Sequence, residues 1–396
     1  MPYSATAFQR LLDPLDRHAL SRSVDRCRGN RGVGTGANAW TCQRHLKTLV
    51  FAQVAGLNSL REIEQGLSAR PDALYHLDLR IPKRTTLSDA SANRPAAFFG
   101  DVANHLTRAA SGKLRNESKA LTELIDASPI PLRDLRFAWP EADSRVRGLK
   151  LYVHYDPEAD MPVAFHLTSP KVSDSKLARE ATIEPNRTYV FDKGFGEYGF
   201  WQRIVEAGSI FVTRLKKDAK RRDVVPSLSL PRAEIISDTL LKVGHKRPRG
   251  GVVNSLYDTQ LREITVTREA ERPLVLITND MCRSAEQIAA LYKQRWQIEL
   301  FFKWIKQNLN VKTFLGRSEN AVRIQLYVAI ITFLLIRLAK AGFAAPHQGS
   351  LKDFKARIAV ALLSPINLTN RAKPPPNSSG TFPISPQLSF QLGAQA

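Results

Sequence analysis

The sequence predicts an α/β protein: a helical N-terminal region, a strand-rich middle and a helical closing segment. Three observations predict it. Residues 1 to about 115 carry helical periodicity and a helix-start signal, Ser59-Leu60-Arg61-Glu62, in which a hydroxyl precedes a carboxylate by three positions. From Ala120 onward the pattern changes to short apolar runs that alternate every second residue. Leu291 to Leu309, LYKQRWQIELFFKWIKQNL, then returns to a helix-forming composition without Gly or Pro.

The totals narrow the function. The chain has 396 residues, with 58 Lys and Arg against 37 Asp and Glu, a net charge of +21. So large an excess calls for a polyanionic partner, and nucleic acid is the leading one. The cations are spread along the chain instead of lining one amphipathic helix, which weakens the case for a membrane surface. Cys27, Cys42 and Cys282 form no CxxC pair, so they read as reduced thiols of a cytoplasmic protein, neither a disulfide frame nor a zinc site. The start, MPYSATAFQRLLD, has no signal-peptide core. The most apolar run, Leu326 to Leu338, is too short to span a bilayer and contains Arg337, so a buried helix is expected there.

In the N-terminal region, helices are expected over Cys42 to Val54, from Ser59, and from a second start between Thr85 and Ser88. Lys83 and Arg84 between short helices suggest a helix-turn-helix reader, but the connection from Ser68 to Arg84 exceeds that motif's turn. Residues 1–115 are therefore expected to form a helical DNA-binding domain, with a structural or dimerisation domain as the plainer alternative.

In the middle, ALTELIDAS is an apolar run ending at Asp126, and RGLKLYVHYD and MPVAFHLTS read as a two-strand meander. A helix follows over Asp174 to Thr182, and TYVFDKGF is a short buried strand ending in Asp192. This is the element order of an RNase H-like core, whose first and fourth strands lie side by side. Asp126 and Asp192 would then meet at neighbouring strand ends. An Asp after one strand is common in any α/β chain; two in this order carry more weight. The competing aspartates are Asp134, Asp156 in the turn YDPEAD, and Asp174, expected to cap a helix. Beyond Asp192, SIFVTRLK, AEIISDTLLKV, NSLYDTQLREITVTRE and RPLVLITND have β-type composition. Lys216, Lys217, Lys220, Arg221, Arg222, Lys246, Arg247 and Arg249 are expected on the loops between them, where any one could be merely solvated. The division expected is 116–205 and 285–345 for two parts of one core, 206–284 for a β-rich insertion, and 346–396 for a C-terminal region. Its tail, from Pro365, is rich in Pro, Ser, Asn and Gly and reads as poorly ordered.

On a helical wheel, Tyr292, Arg295, Glu299 and Lys306 fall within an arc of roughly 60°, beside an apolar strip of Leu291, Ile298, Phe302, Ile305 and Leu309. A core helix with an i,i+4 salt bridge on its wet edge accounts for part of this. A phenol and two cations around one carboxylate also form a phosphate-gripping set that could flank a metal ligand. The spacing, Tyr292 then Arg295, Glu299 and Lys306, resembles the Tyr-Arg-Glu-Lys signature of bacterial insertion-sequence transposases. FAQVAGLNSLREIEQGL and TTLSDASANRP resemble the helical N-terminal domain that accompanies them.

The resemblance implies an Asp-Asp-Glu metal site formed by Asp126, Asp192 and Glu299 on an RNase H-like core, interrupted by an inserted β-domain. Tyr292, Arg295 and Lys306 would grip phosphates near the transposon end, with Lys193 beside Asp192 assisting. The first motif reads Asp126-Ala127-Ser128, where many relatives have Asp-Ser-Thr. Phosphodiester cleavage and strand transfer are served by two Mg²⁺ ions about 4 Å apart. Hard cations favour carboxylate oxygen, so three carboxylates suffice if Asp126 is shared, and Mn²⁺ could substitute. None of the eight His shows metal-ligand spacing. The implied partner is double-stranded DNA, at the element's ends and at its target, bound by a homodimer in a nucleoid-associated complex. The expected function is cut-and-paste transposition. A non-catalytic DNA-binding protein derived from a transposase and an RNase H-like nuclease are the alternatives.

Overall fold

The computed structural model describes residues 5–36, 38–114, 121–132, 137, 139, 147–226, 234–247, 253–268, 272–309, 313–342 and 349–364. The tail from Pro365 lies outside the described residues, as do Asp134 and Arg249.

Among the described residues, seven α-helices open the chain: α1 (Ala7–Leu12), α2 (Arg17–Cys27), α3 (Cys42–Ala55), α4 (Leu60–Ser68), α5 (Pro71–Leu74), α6 (Arg84–Asn93) and α7 (Ala96–Leu114). Their starts follow capping chemistry. Thr41 caps α3 by accepting from the Arg44 amide at 3.3 Å, and Ser59 caps α4 by accepting from the Glu62 amide at 3.1 Å. Glu62 reaches back one residue further than a capping box requires, to the Asn58 amide at 2.8 Å. The start expected at Thr85 falls at Arg84, after Lys83, which makes no side-chain cap. Pro95 then separates α6 from α7, because a proline within the run would remove an amide donor.

The strands are β1 (Leu121–Pro131), β2 (Gly148–Asp156), β3 (Met161–Thr168), β4 (Arg187–Phe191), β5 (Ile210–Arg214), β6 (Arg221–Pro226), β7 (Ile235–Val243), β8 (Leu261–Val266) and β9 (Leu274–Thr278). Two helices interrupt them, α8 (Asp174–Glu180) and α9 (Tyr198–Glu206). All nine strands join one sheet in the order β3-β2-β1-β4-β5-β9-β8-β7-β6. The first three pair antiparallel, β1, β4 and β5 run parallel, and β9 returns antiparallel to β5. The β-type stretch after Asp192 thus prolongs the sheet through the β5–β9 pairing. Two of its cations are not loop decoration: on β6, Arg221 pairs with Glu263 at 2.7 Å and Arg222 stacks 3.5 Å over the Tyr257 ring.

The chain closes with α10 (Ala285–Gln294), α11 (Trp296–Asn308), α12 (Glu319–Gly342) and α13 (Leu351–Val360). The run 291–309, expected as one helix, is interrupted at Arg295. There the Arg295 amide donates back three residues to Tyr292, at 3.1 Å, in a turn tighter than the α-helix. Strand alternation gives the sheet two faces. Leu124, Val153 and Val190 face α11 and α12, whereas Ile125, Tyr152 and Phe191 face α8 and α9.

Helix α12 ties the halves together. Among the described residues it is the one helix long and apolar enough to cross a membrane, and 83% of its most apolar window is buried inside the protein. It packs on α3 and α7, and its apolar side chains share one continuous core with those of the N-terminal helices and one face of the sheet. Gly100 of α7 meets the Tyr327 ring so closely that a Cβ there would lie 3.2 Å away. At the start of α12, Asn320 donates to the Arg94 carbonyl at 2.7 Å and accepts from the Ala96 amide at 3.3 Å, closing the α6–α7 junction.

Candidate active site

The site forms where β1 loses its parallel neighbour. The β1–β4 ladder ends at Ile125 opposite Phe191, so the next residue of each strand is an aspartate, Asp126 and Asp192. Leu124 lies opposite Val190, and two residues further on the same face both carboxylates turn towards α11. Asp126 does not end its strand as expected. β1 runs on to Pro131 because β2 still pairs with it, as far as Pro131 opposite Gly148. Pro129 and Pro131 are tolerated there because that stretch no longer has β4 beside it.

Asp126 is mostly shielded. Its Oδ1 accepts from the Ala127 amide at 2.8 Å. Its pKa is raised to about 6, chiefly by burial and also by nearby Glu299 and Asp174, against the lowering effect of that amide and of Arg295. Opposite stands Arg295, whose Nη1 lies 2.6 Å from Glu299 Oε1 and 3.9 Å from Asp126 Oδ2. One guanidinium therefore bridges the first and third carboxylates. Tyr292, 7% exposed, donates to Asp192 Oδ1 at 3.3 Å, and burial lifts its phenol to about 12. Lys306 Nζ donates to Ser128 Oγ at 2.7 Å, two residues beyond Asp126. Each side chain of the Tyr-Arg-Glu-Lys set thus meets a group on, or directly after, β1 or β4, or is joined to one through Arg295. Lys193 is exposed on the turn that follows Asp192.

Two neighbours escaped the sequence. Arg214 ends β5, and its Nη1 lies 3.9 Å from Asp192 Oδ1. Ser128 serves as the partner of Lys306. The signal for Arg214 was present: SIFVTRLK is an apolar run ending in a charge, as the runs before Asp126 and Asp192 are. Of the competing aspartates, Asp156 accepts from the Glu158 and Ala159 amides at 2.8 and 3.0 Å in its hairpin. Asp174 does not cap α8. Ser173 does, accepting from the Lys176 amide at 3.2 Å, and Asp174 pairs with Lys150 at 3.2 Å.

The donor set suits a hard divalent cation: three carboxylates on one side of the sheet, one of them raised in pKa chiefly by burial. Among the described residues no three His, Cys, Asp or Glu side chains converge on a single point. The arrangement is one of pairs, with Asp126 beside Asp192 through the strands and beside Glu299 through Arg295.

Comparisons with known proteins show the family. The family model described as Transposase DDE domain matches residues 118–335, and a domain of unknown function, DUF4372, matches residues 3–80. The chain is 40% identical over 263 residues to putative transposase y4zB of Sinorhizobium fredii, covering 65% of this chain and 72% of that protein. It is 46% identical over 257 residues to the putative transposase for insertion sequence element IS4SA of Synechocystis, covering 64% and 71%. It is 30% identical over 217 residues to the probable transposase for insertion sequence element IS5377 of Geobacillus stearothermophilus, covering 54% and 55%. Among solved structures, the piggyBac transposase synaptic complex with hairpin DNA aligns with a TM-score of 0.51 and 11% identity, over 91% of this chain and 80% of that one, a likeness of fold. The chain belongs to the DDE transposase family, and it is a DNA transposase of the bacterial insertion-sequence kind.

Proposed function

We propose that the protein carries out cut-and-paste transposition: metal-dependent strand cleavage, then strand transfer, at the terminal inverted repeats of its own element. The observation that carries this reading is the register of β1 and β4, which sets Asp126 and Asp192 side by side on the face where α11 brings Glu299. The strand order β3-β2-β1-β4-β5, with β2 alone antiparallel to its central neighbours, supports an RNase H-like core prolonged by β6 to β9.

In this reading Asp126, Asp192 and Glu299 would hold two Mg²⁺ ions, with Asp126 shared, and Mn²⁺ could replace them. Bound there, the ions would activate the attacking hydroxyl or water and neutralise the leaving oxygen. The protein's own part is positioning and charge. Before DNA arrives, Arg295 neutralises Asp126 and Glu299. When the DNA end docks, its guanidinium turns to a phosphate, for which its planar fork is suited. Tyr292 orients Asp192. Lys306, anchored near Ser128, and exposed Lys193 meet phosphates on either side. The N-terminal helices supply end recognition, and two copies act on a pair of ends.

The test is direct. Asp126→Ala, Asp192→Ala and Glu299→Ala should each abolish Mg²⁺-dependent cleavage of an end-containing duplex while leaving its binding largely intact. Substantial cleavage by any one removes that residue from the site.

A further inference from the structure

Asp174 has a place in the fold that helix capping does not explain. It occupies the first position of α8 while Ser173 provides the cap. Its side chain is instead held from behind the sheet. Lys150, on the β2 face opposite Asp126, donates to the Val172 carbonyl at 2.6 Å and to Asp174 Oδ1 at 3.2 Å. The second oxygen, Oδ2, presses on Gly194, where a Cβ would lie only 2.8 Å from it. Next to it, Ser175 Oγ donates to the Gly194 carbonyl at 3.4 Å. Gly194 belongs to the turn Lys193–Phe195 that follows Asp192 directly. Phe195, 1% exposed, pins the other side of this turn among Tyr152 and Phe191.

The two contacts described for the Asp192 carboxylate are long, 3.3 Å to Tyr292 and 3.9 Å to Arg214. Its position must come chiefly from the backbone turn. We propose that Asp174 is a positioning residue: held by Lys150 and packed on Gly194, it clamps the turn that sets the Asp192 carboxylate against Asp126. The inference rests on the reading of Asp192 as a metal-binding carboxylate. It assigns a task to a side chain outside the Asp-Asp-Glu set, reaching the site from the far face of the sheet.

The full-length protein tests it without reliance on turnover. Binding of Mn²⁺ in the absence of DNA is followed by the electron paramagnetic resonance of the free ion, and Mn²⁺-dependent cleavage of an end duplex is titrated in parallel. Outer residues that orient metal ligands typically change metal affinity by about 10- to 100-fold. Asp174→Ala should weaken Mn²⁺ binding on the order of tenfold or more. It should raise the Mn²⁺ needed for half-maximal cleavage equally, with the metal-free melting temperature little changed. Asp174→Asn keeps the shape and one acceptor for Lys150 and should recover most of the affinity. Gly194→Ala should weaken binding in the wild-type background, because its methyl meets Asp174, yet add little in an Asp174→Ala background, where that oxygen is gone. Wild-type Mn²⁺ affinity in Asp174→Ala, or equal harm from Gly194→Ala in both backgrounds, overturns the clamp. Asp192→Ala is the control. If it binds Mn²⁺ as wild type does, the metal-site reading fails and the clamp fails with it. If it does not and Asp174→Ala is silent, only the clamp fails.

Discussion

Arg295→Ala should make the protein bind Mg²⁺ more tightly and cleave DNA worse. The guanidinium lies 2.6 Å from Glu299 and 3.9 Å from Asp126, in the space a cation shared by those carboxylates would need. Unit charges about 4 Å apart interact by roughly 4 kcal/mol at an effective dielectric constant near 20. The Glu299 side chain is 33% exposed, so solvent screening and side-chain entropy reduce this to about 1–2 kcal/mol. An ion that no longer competes with the guanidinium should gain that amount, on the order of tenfold in affinity. In the metal-free protein the same substitution leaves two carboxylates facing each other and should lower the melting temperature. Mg²⁺ should then raise it by more than in the wild type, because ligand stabilisation grows with affinity. Cleavage should fall, since the phosphate loses a charge-assisted contact of about 1.5–3 kcal/mol. Arg295→Lys should remain poor in cleavage, because an ammonium cannot make a two-pronged contact. The assay pairs Mg²⁺-dependent thermal shifts with cleavage of an end duplex. Equal Mg²⁺ shifts in wild type and Arg295→Ala would refute competition for the carboxylates. Wild-type cleavage would return α11 to a purely structural role.

Two further expectations follow from the same geometry. Asp126, raised to about 6 from an ordinary 3.8, stays protonated in the folded protein where the unfolded chain has already ionised. Its contribution to metal-free stability is therefore present below pH 3.8, is lost as pH rises towards about 6, and is constant above. Mg²⁺ needs the ionised form, so Mg²⁺-induced stabilisation should grow through the same interval; Asp126→Asn should flatten both trends in pH-resolved melting curves, and unchanged trends would refute the assignment. Separately, a chain lacking residues 1–114 should not fold, because α12 would lose α3 and α7. A soluble fragment with cooperative melting would show that the shared core is dispensable.

The sequence exposed those parts of the site that depend on local pattern. Asp126 and Asp192 were legible because each follows an apolar run, and Arg295 with Glu299 because four residues make about one helical turn. The partners of Tyr292 and Lys306 were not, since Asp192 and Ser128 are 100 and 178 residues away and meet them only through the sheet's register. The continuation of the sheet past β5 was hidden for the same reason. β9 pairs with β5 across the whole of β6 to β8, and composition alone cannot distinguish a strand of a separate unit from one added to an existing edge. The interruption at Arg295 lay below the resolution of periodicity, which stays helical through a single tightened turn. Asp174 illustrates the converse: an acidic residue at a helix start is usually read as a cap, and here the neighbouring Ser173 had taken that task.

The burial of α12 between the N-terminal helices and the sheet has a consequence for synthesis on the ribosome. Helices α3 and α7 emerge early, but the element that covers them ends at Gly342. At about 5–20 residues per second, α7 waits on the order of ten to fifty seconds for its partner. Through that interval the apolar faces of α3 and α7 are open, and the basic N-terminal segment cannot adopt its final arrangement. The N-terminal helices therefore reach their final packing only after α12 has emerged. A chain cut short before α12 leaves the apolar faces of α3 and α7 without the helix that covers them. An N-terminal region and its α12 surface are in this sense one folding unit, although some two hundred residues of sheet separate them in the chain.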